Sequence, residues 1–378
     1  MKKISLLIIL FCFAKYSFSQ DNNKNEFKPS GKLWGLTFGD YYYKIHSDSM
    51  NRGNAQYSKL PINNNAFDLR RVYLGYDYAM SEKFSGEFLL SYEGQMLSDS
   101  ATRTVYVKAA NVKWKSICHN TDLIIGLAST PTFALVTDKV WGYRSIEKSL
   151  SDFRGVAKAV DAGISLQGRL DSAGNFGYNL MAANGAGQKI ETDRFKKFYG
   201  DFYAKFLGQK LILDLYADYE RSQLSPYHKS KMAIKFFAAY QTEKFAVGAE
   251  VFQQAFENNS TYMGPAPLNL PERADAVILG GSVFVKGNIK PDKLALFVRA
   301  DFYDPDSKFN ADLTYIGYSS YNTELFATAG IDLMPIKNVH LIPNVWYNAY
   351  QNRVKNVSGK KKGDYDLVPR LTFYYLLK

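Results

Sequence analysis

Five basic residues are spaced through one 28-residue connecting segment, Pro131 to Lys158: Lys139, Arg144, Lys148, Arg154 and Lys158, against Asp138, Glu147 and Asp152. A local excess of two positive charges attracts a hydrated anion, most strongly where low-dielectric walls focus the field. Ten further basic residues stand at polar positions of alternating segments: Arg70, Arg71, Lys108, Arg169, Lys197, Lys205, Lys231, Lys235, Arg299 and Arg370. The planar fork of arginine donates in pairs and suits phosphate. The chemistry expected of this set is recruitment of anions. Glu87, Glu93, Asp201, Asp214, Asp218, Asp301 and Asp332 fall on the same faces, so pairing between walls is expected as well.

Other site chemistries find little support. His46, His119, His228 and His340 are scattered singly, without metal-ligand spacing. Asn184-Gly185-Ala186-Gly187 reads as a turn, because no helix follows it to receive a phosphate. Nothing points to a serine, histidine and amide held together, so no enzyme activity and no cofactor are expected. Nor does any feature call for nucleic acid as a partner.

The elements that must position these charges are strands. Residues 82–96 put Phe84, Gly86, Phe88, Leu90, Tyr92 and Met96 on one face and Lys83, Ser85, Glu87, Ser91, Glu93 and Gln95 on the other. Residues 197–206 and 211–220 repeat this period of two, which belongs to a strand with one greasy and one wet face. Sixteen such segments are expected: 32–46, 67–80, 82–96, 103–114, 121–130, 159–171, 174–184, 196–207, 210–221, 230–241, 243–257, 275–288, 293–304, 323–334, 337–350 and 366–377.

Their connections alternate between short and long. Ser81, Ser172-Ala173, Gly208-Gln209, Thr242 and Pro335-Ile336 are hairpin turns, whereas 47–66, 131–158, 258–274, 305–322 and 351–365 are polar loops expected to face outward. That rhythm predicts an all-β fold: a transmembrane antiparallel barrel of about sixteen strands with short periplasmic turns and long external loops. Closure removes the unpaired edges that hydrocarbon penalises, and this strand number encloses an aqueous channel. Tyr, Phe and Trp make up 15% of residues and gather near segment ends, as in Tyr41-Tyr42-Tyr43, Trp346-Tyr347 and Phe373-Tyr374-Tyr375, where membrane-interface girdles need them. The phase breaks at Arg70-Arg71, since Phe67 and Leu69 alternate out of step with Val72 and Leu74. A bulge with one arginine facing in is expected there.

Residues 1–19 read as a cleaved export signal: Lys2 and Lys3 precede an apolar run too short to span a bilayer, and Ser17 and Ser19 suit a cut before Gln20. Residues 20–31 are then a periplasmic segment and 32–378 the barrel, located in the outer membrane of a Gram-negative bacterium. Removing the signal leaves 44 basic against 36 acidic residues, a net charge of +8, and a lone Cys118 that has no partner for an internal disulfide.

With these residues in place, the chain resembles the phosphate-selective porin O/P family and related outer-membrane porins, in a Bacteroidota-like form. Phe67 to Gly75 resembles the family's Phe-x-Leu-Arg-Arg-x-x-x-Gly strand, Gly126 the strand leading to its third external loop, and residues 294–306, with Arg299, Asp301 and Asp304-Pro305-Asp306, a late strand and the loop after it. Residues 338–350 and 366–377 resemble its last hairpin. The resemblance implies a barrel that is often trimeric, passes anions, and folds its third loop inward to narrow the channel. The chain departs from the pattern by ending Leu376-Leu377-Lys378 where a terminal aromatic is usual, which bears on how insertion machinery would read it.

The function expected is a porin for passive diffusion of small hydrophilic solutes, with moderate anion preference and phosphate as a candidate. Outer-membrane lipid and lipopolysaccharide are expected partners, Lys360-Lys361-Lys362 offering contacts for lipopolysaccharide phosphates. The alternative is a non-conducting surface barrel acting as an adhesin or receptor.

Overall fold

The computed structural model describes residues 27–94, 103–223, 228–264, 271–310, 312–315, 322–352 and 363–377. The export signal, Gln95 and Met96, the lysine run at 360–362 and Lys378 lie outside the described residues.

Sixteen strands follow one another: β1 Ser30–Tyr43, β2 Asn65–Ala79, β3 Phe84–Glu93, β4 Tyr106–Cys118, β5 Thr121–Ser129, β6 Val160–Arg169, β7 Phe176–Ala183, β8 Lys197–Phe206, β9 Leu211–Gln223, β10 Lys229–Gln241, β11 Phe245–Met263, β12 Pro271–Lys290, β13 Leu294–Asp304, β14 Asn322–Ile336, β15 Val339–Asn352 and β16 Gly363–Leu377. Each pairs antiparallel with its sequence neighbours, and β1 closes on β16 with Gly35 opposite Leu377 and Tyr42 opposite Arg370. The closed sheet leaves no edge among the sixteen strands, the condition hydrocarbon imposes on a spanning β-structure.

Burial is inverted relative to a soluble protein. Phe198, Leu215 and Val298 are at least half exposed, as are Val251 and Leu325, while Asp40, Lys44, Asp201, Lys235, Asp301 and Asp366 are fully or almost fully buried. The greasy phase of every strand therefore looks out and the charged phase looks in, which the backbone alternation enforces once the sheet closes. This is a membrane-spanning barrel of the outer-membrane type.

Three local expectations need correction. The segment 258–274 is largely strand: β11 and β12 keep pairing as far as Met263 opposite Pro271, past a register shift between Phe256 and Ser260. Above the membrane a hairpin can continue as long as its backbone groups remain paired. Secondly, Phe38 pairs with Arg71 and Gly39 with Leu69, leaving Arg70 as the bulged residue, and both arginines face the lumen. A bulge places two consecutive side chains on one side, so the choice between them disappears. Thirdly, Trp346 and Tyr42 are buried inside the barrel and belong to no outer girdle. Outward aromatic pairs do mark the short-turn end, among them Tyr76–Tyr78, Phe84–Trp114 and Phe176–Phe206.

Candidate functional site: the narrowed lumen

The third long connection does not leave the barrel. Between β5 and β6 it forms three short helices, α1 Pro131–Ala134, α2 Thr137–Trp141 and α3 Leu150–Phe153. Its Val136, Val140, Trp141 and Ile146 pack on Ile212, Phe237, Phe284, Phe297 and Ile342 of the inner wall, and its Leu150 and Val156 pack with Met181, Tyr199, Tyr216 and Phe252. The signal for this was in the chain. A loop bathed in water has no use for six large apolar residues, and Phe237, Phe284 and Phe297 interrupt the wet phase of their strands. Gly142 ends α2 in the left-handed region (φ 71°), its N–H donating to Asp138 O at 2.9 Å. Glycine is the residue that adopts this C-cap at no steric cost.

Polar clamps complete the docking. Four wall cations donate to backbone carbonyls of this loop: Lys235 to Thr132, Arg70 to Ser145, Arg370 to Ile146 at 3.2 Å, and Arg299 to Lys148. Three of those carbonyls lie within 145–148 and are held by arginines from β2, β16 and β13, so this segment is fixed from three directions across the lumen. One wall acceptor acts in the other sense, Glu250 receiving Ser151 N–H at 2.8 Å, and a further wall donor, Trp346 Nε1, reaches Glu147 Oε2 of the loop at 3.2 Å.

The first long connection, 44–64, also turns inward, against the expectation that it faces outward. Tyr57 is 2% exposed, packs on Tyr42 and Trp346, and donates to Asp40 at 2.7 Å. The Lys44–Asp366 pair, at 2.7 Å with both side chains fully buried, ties the loop's root to β16, and Lys44 also donates to Tyr57 O at 2.6 Å. Its charged and aromatic residues are no more apolar than those of a solvated loop, and so the sequence carried no usable signal.

Two inward loops leave a cavity of about 190 Å3 against the β1–β3 wall, lined by Phe38, Asp68, Arg70, Arg71 and Glu93 from the strands, Asn54 to Gln56 from the first loop, and Arg144, Glu147, Lys148 and Phe153 from the third.

The fifteen basic residues singled out in the sequence divide by partner. Nine are ion-paired: Arg70 with Asp40, Arg71 at 3.2 Å and Lys108 with Glu93, Arg144 with Asp138 and Asp152 (2.5 Å each), Arg154 with Glu324 (2.8 Å), Lys197 with Asp218 (3.1 Å), Lys231 with Glu220 (3.3 Å), Lys235 with Asp214 (2.8 Å) and Arg299 with Asp301 (2.6 Å). Arg370 is hydrogen-bonded to Asn344 Oδ1 at 2.7 Å. Burial disfavours charge on Arg144, yet Asp152 and Asp138 outweigh it and hold its pKa well above the ordinary arginine value. Asp152 is correspondingly lowered: burial opposes its charge, but Arg144 and Lys148 prevail.

Lys139, Lys148, Lys158, Arg169 and Lys205 make no ion pair among the described residues. Lys113, Arg169 and Lys205 stand near the short-turn end of their strands. Lys139 belongs to the same region: its pKa is lowered by partial burial and then by repulsion from Lys205 and Lys113. Lys113 pairs with Asp122 at 3.9 Å, whereas Lys139, Arg169 and Lys205 leave the short-turn side of the constriction with cations that no described carboxylate pairs.

No protein-family model matches the chain, and no curated protein matches it in sequence. Solved structures match its fold. The outer membrane channel DcaP of Acinetobacter baumannii superposes with a TM-score of 0.67 at 12% identity, covering 94% of this chain and all of that one. An anion-selective porin from Comamonas acidovorans gives 0.59 at 12% identity over 93% of this chain and 100% of its own. The trimer form of in-vitro folded OmpT, an outer membrane protein of Vibrio cholerae, gives 0.55 at 12% identity over 92% and 99%. The chain shares its closed-barrel fold with these outer-membrane proteins.

Proposed function

We propose that this barrel is a general diffusion porin of the outer membrane, passing small hydrophilic solutes with a moderate preference for anions. The observation that carries the reading is the unequal compensation of charge along the lumen, in which Lys139, Arg169 and Lys205 make no ion pair among the described residues while three of the four cations that clamp the third loop, Arg70, Lys235 and Arg299, are ion-paired. A passing anion meets net attraction in a narrowed, low-dielectric passage. The anion selectivity of the Comamonas porin supports the direction of the preference.

Phosphate is the candidate anion, on the strength of the sequence resemblance to the O/P porins, and a Bacteroidota-type member of that group is the source proposed. A homotrimer is proposed from the trimer form of OmpT. Outer-membrane lipid, lipopolysaccharide and the barrel-insertion machinery complete the proposed partners, and the proposed mature chain begins after residue 19.

The test is liposome swelling with the reconstituted protein. Swelling that is fast for small sugars and falls with solute size supports an open diffusion pore. Liposomes that stay intact in every solute despite correctly inserted protein would move the reading to the surface-binding barrel.

A further inference from the structure

The cavity between β2 and the third loop has room for about six water molecules, since each occupies about 30 Å3 of liquid volume. Most charged groups facing it are already engaged. Arg70 is committed to Asp40 and Ser145 O, and Arg144 to Asp138 and Asp152. Glu93 receives Arg71 Nη2, Lys108 and Tyr73, while Glu147 receives Trp346 Nε1 and the N–H of Lys148.

Three groups are left over. Arg71, 5% exposed, has Nε and Nη1 without a hydrogen-bond partner. A buried guanidinium edge is costly to leave unmatched, because removal from water is then uncompensated. The Lys148 ammonium makes no ion pair among the described residues, and the Asp68 carboxylate makes neither ion pair nor hydrogen bond among them. Asp68 and Arg71 come from one strand and Lys148 from the third loop, so two cationic donors and one carboxylate acceptor line the same cavity.

We infer that this cavity is a binding subsite for small amino-carboxylates, the solute's carboxylate taken by Arg71 and Lys148 and its ammonium by Asp68. A simple anion would satisfy the cations and leave Asp68 facing it at like charge. A solute carrying both groups answers all three. The inference rests on the pore reading, because the cavity lies on the path that reading assigns to solutes.

The experiment compares alanine with propionate, which share a carbon skeleton and differ by the ammonium, as perturbants of single-channel current in planar bilayers. Alanine is expected to interrupt the current at a concentration about tenfold below propionate. D68N is expected to abolish that advantage while leaving the propionate effect, and K148Q, which breaks no ion pair, to weaken both. Equal action of alanine and propionate on wild-type channels, or an alanine advantage that survives D68N, overturns the subsite. Either result is read on open channels, so the pore reading stands or falls separately, by whether openings occur.

Discussion

Arg299 donates through Nη1 to the backbone carbonyl of Lys148 while its Nε and Nη2 hold Asp301 at 2.8 and 2.6 Å. One side chain thus joins the inner wall to the middle of the third loop, and its charge is neutralised in the same act. Replacing Arg299 by Gln removes the clamp and leaves Asp301, 1% exposed, as an unpaired buried carboxylate. Breaking one side of such a pair costs about 3–5 kcal/mol. R299Q should unfold at a lower temperature in gel-shift assays of the folded barrel, and the double variant R299Q/D301N should recover much of the loss. An R299Q barrel as heat-stable as wild type would show that the clamp contributes little.

The first loop makes a parallel case. Lys44 and Asp366 are both fully buried, and Lys44 also supports the Tyr57 carbonyl. K44M should therefore release the segment carrying Tyr57 and widen the lumen, so that liposomes swell in larger sugars than the wild type admits. An unchanged size limit would mean that this loop does not narrow the path.

Selectivity should follow the uncompensated cations. A triple variant of Lys139, Arg169 and Lys205 to Gln removes three charges that pair with no carboxylate among the described residues. Charges a few ångströms from a path in high dielectric are worth a few tenths of a kcal/mol to about 1 kcal/mol each. The chloride-to-potassium permeability ratio should fall roughly fivefold at low salt and less at 1 M, where screening shortens to about 3 Å. The ion-paired variant K231Q should move this ratio far less. A triple variant that keeps the wild-type ratio would relocate the selectivity filter.

Lys139 also sets a pH dependence. Burial and the repulsion of Lys205 and Lys113 lower its pKa, so it loses its proton at a lower pH than an ordinary lysine does. Anion preference should accordingly begin to weaken with rising pH below the range in which an ordinary lysine titrates, and K205Q, which removes one repelling charge, should shift the Lys139 part of that decline to higher pH. Reversal potentials recorded across an alkaline series check both statements. A preference that stays flat until ordinary lysines deprotonate would exclude Lys139 from the filter.

Orientation can be read from Cys118, the lone cysteine of the chain beyond the signal, which is exposed at the turn between β4 and β5. A maleimide carried on a polymer too large for the lumen should label it only after the outer membrane is opened. Labelling on intact cells would invert the assignment of short turns to the periplasm.

The barrel was legible because its signal is repeated: all sixteen strands fall within a few residues of their sequence assignment, apart from the longer β11 and β12, since each greasy phase had to meet lipid. The lumen was legible in composition only. Sequence spacing places Arg70, Lys235, Arg299 and Arg370 on the wet face, but their partners Ser145 O, Thr132 O, Lys148 O and Ile146 O are backbone atoms of a distant loop, which no side-chain pattern encodes. Trp346 looked like an interface aromatic because end placement marks depth but does not reveal which way a ring points.

The central claim is that an open, anion-preferring path survives the inward folding of both loops. Its most direct test is the reversal potential of single channels in a planar bilayer across a potassium chloride gradient. The account predicts discrete openings whose reversal lies on the anion side, reduced in the triple Lys139, Arg169, Lys205 variant. A correctly inserted barrel that stays silent, or one that reverses on the cation side, would contradict it.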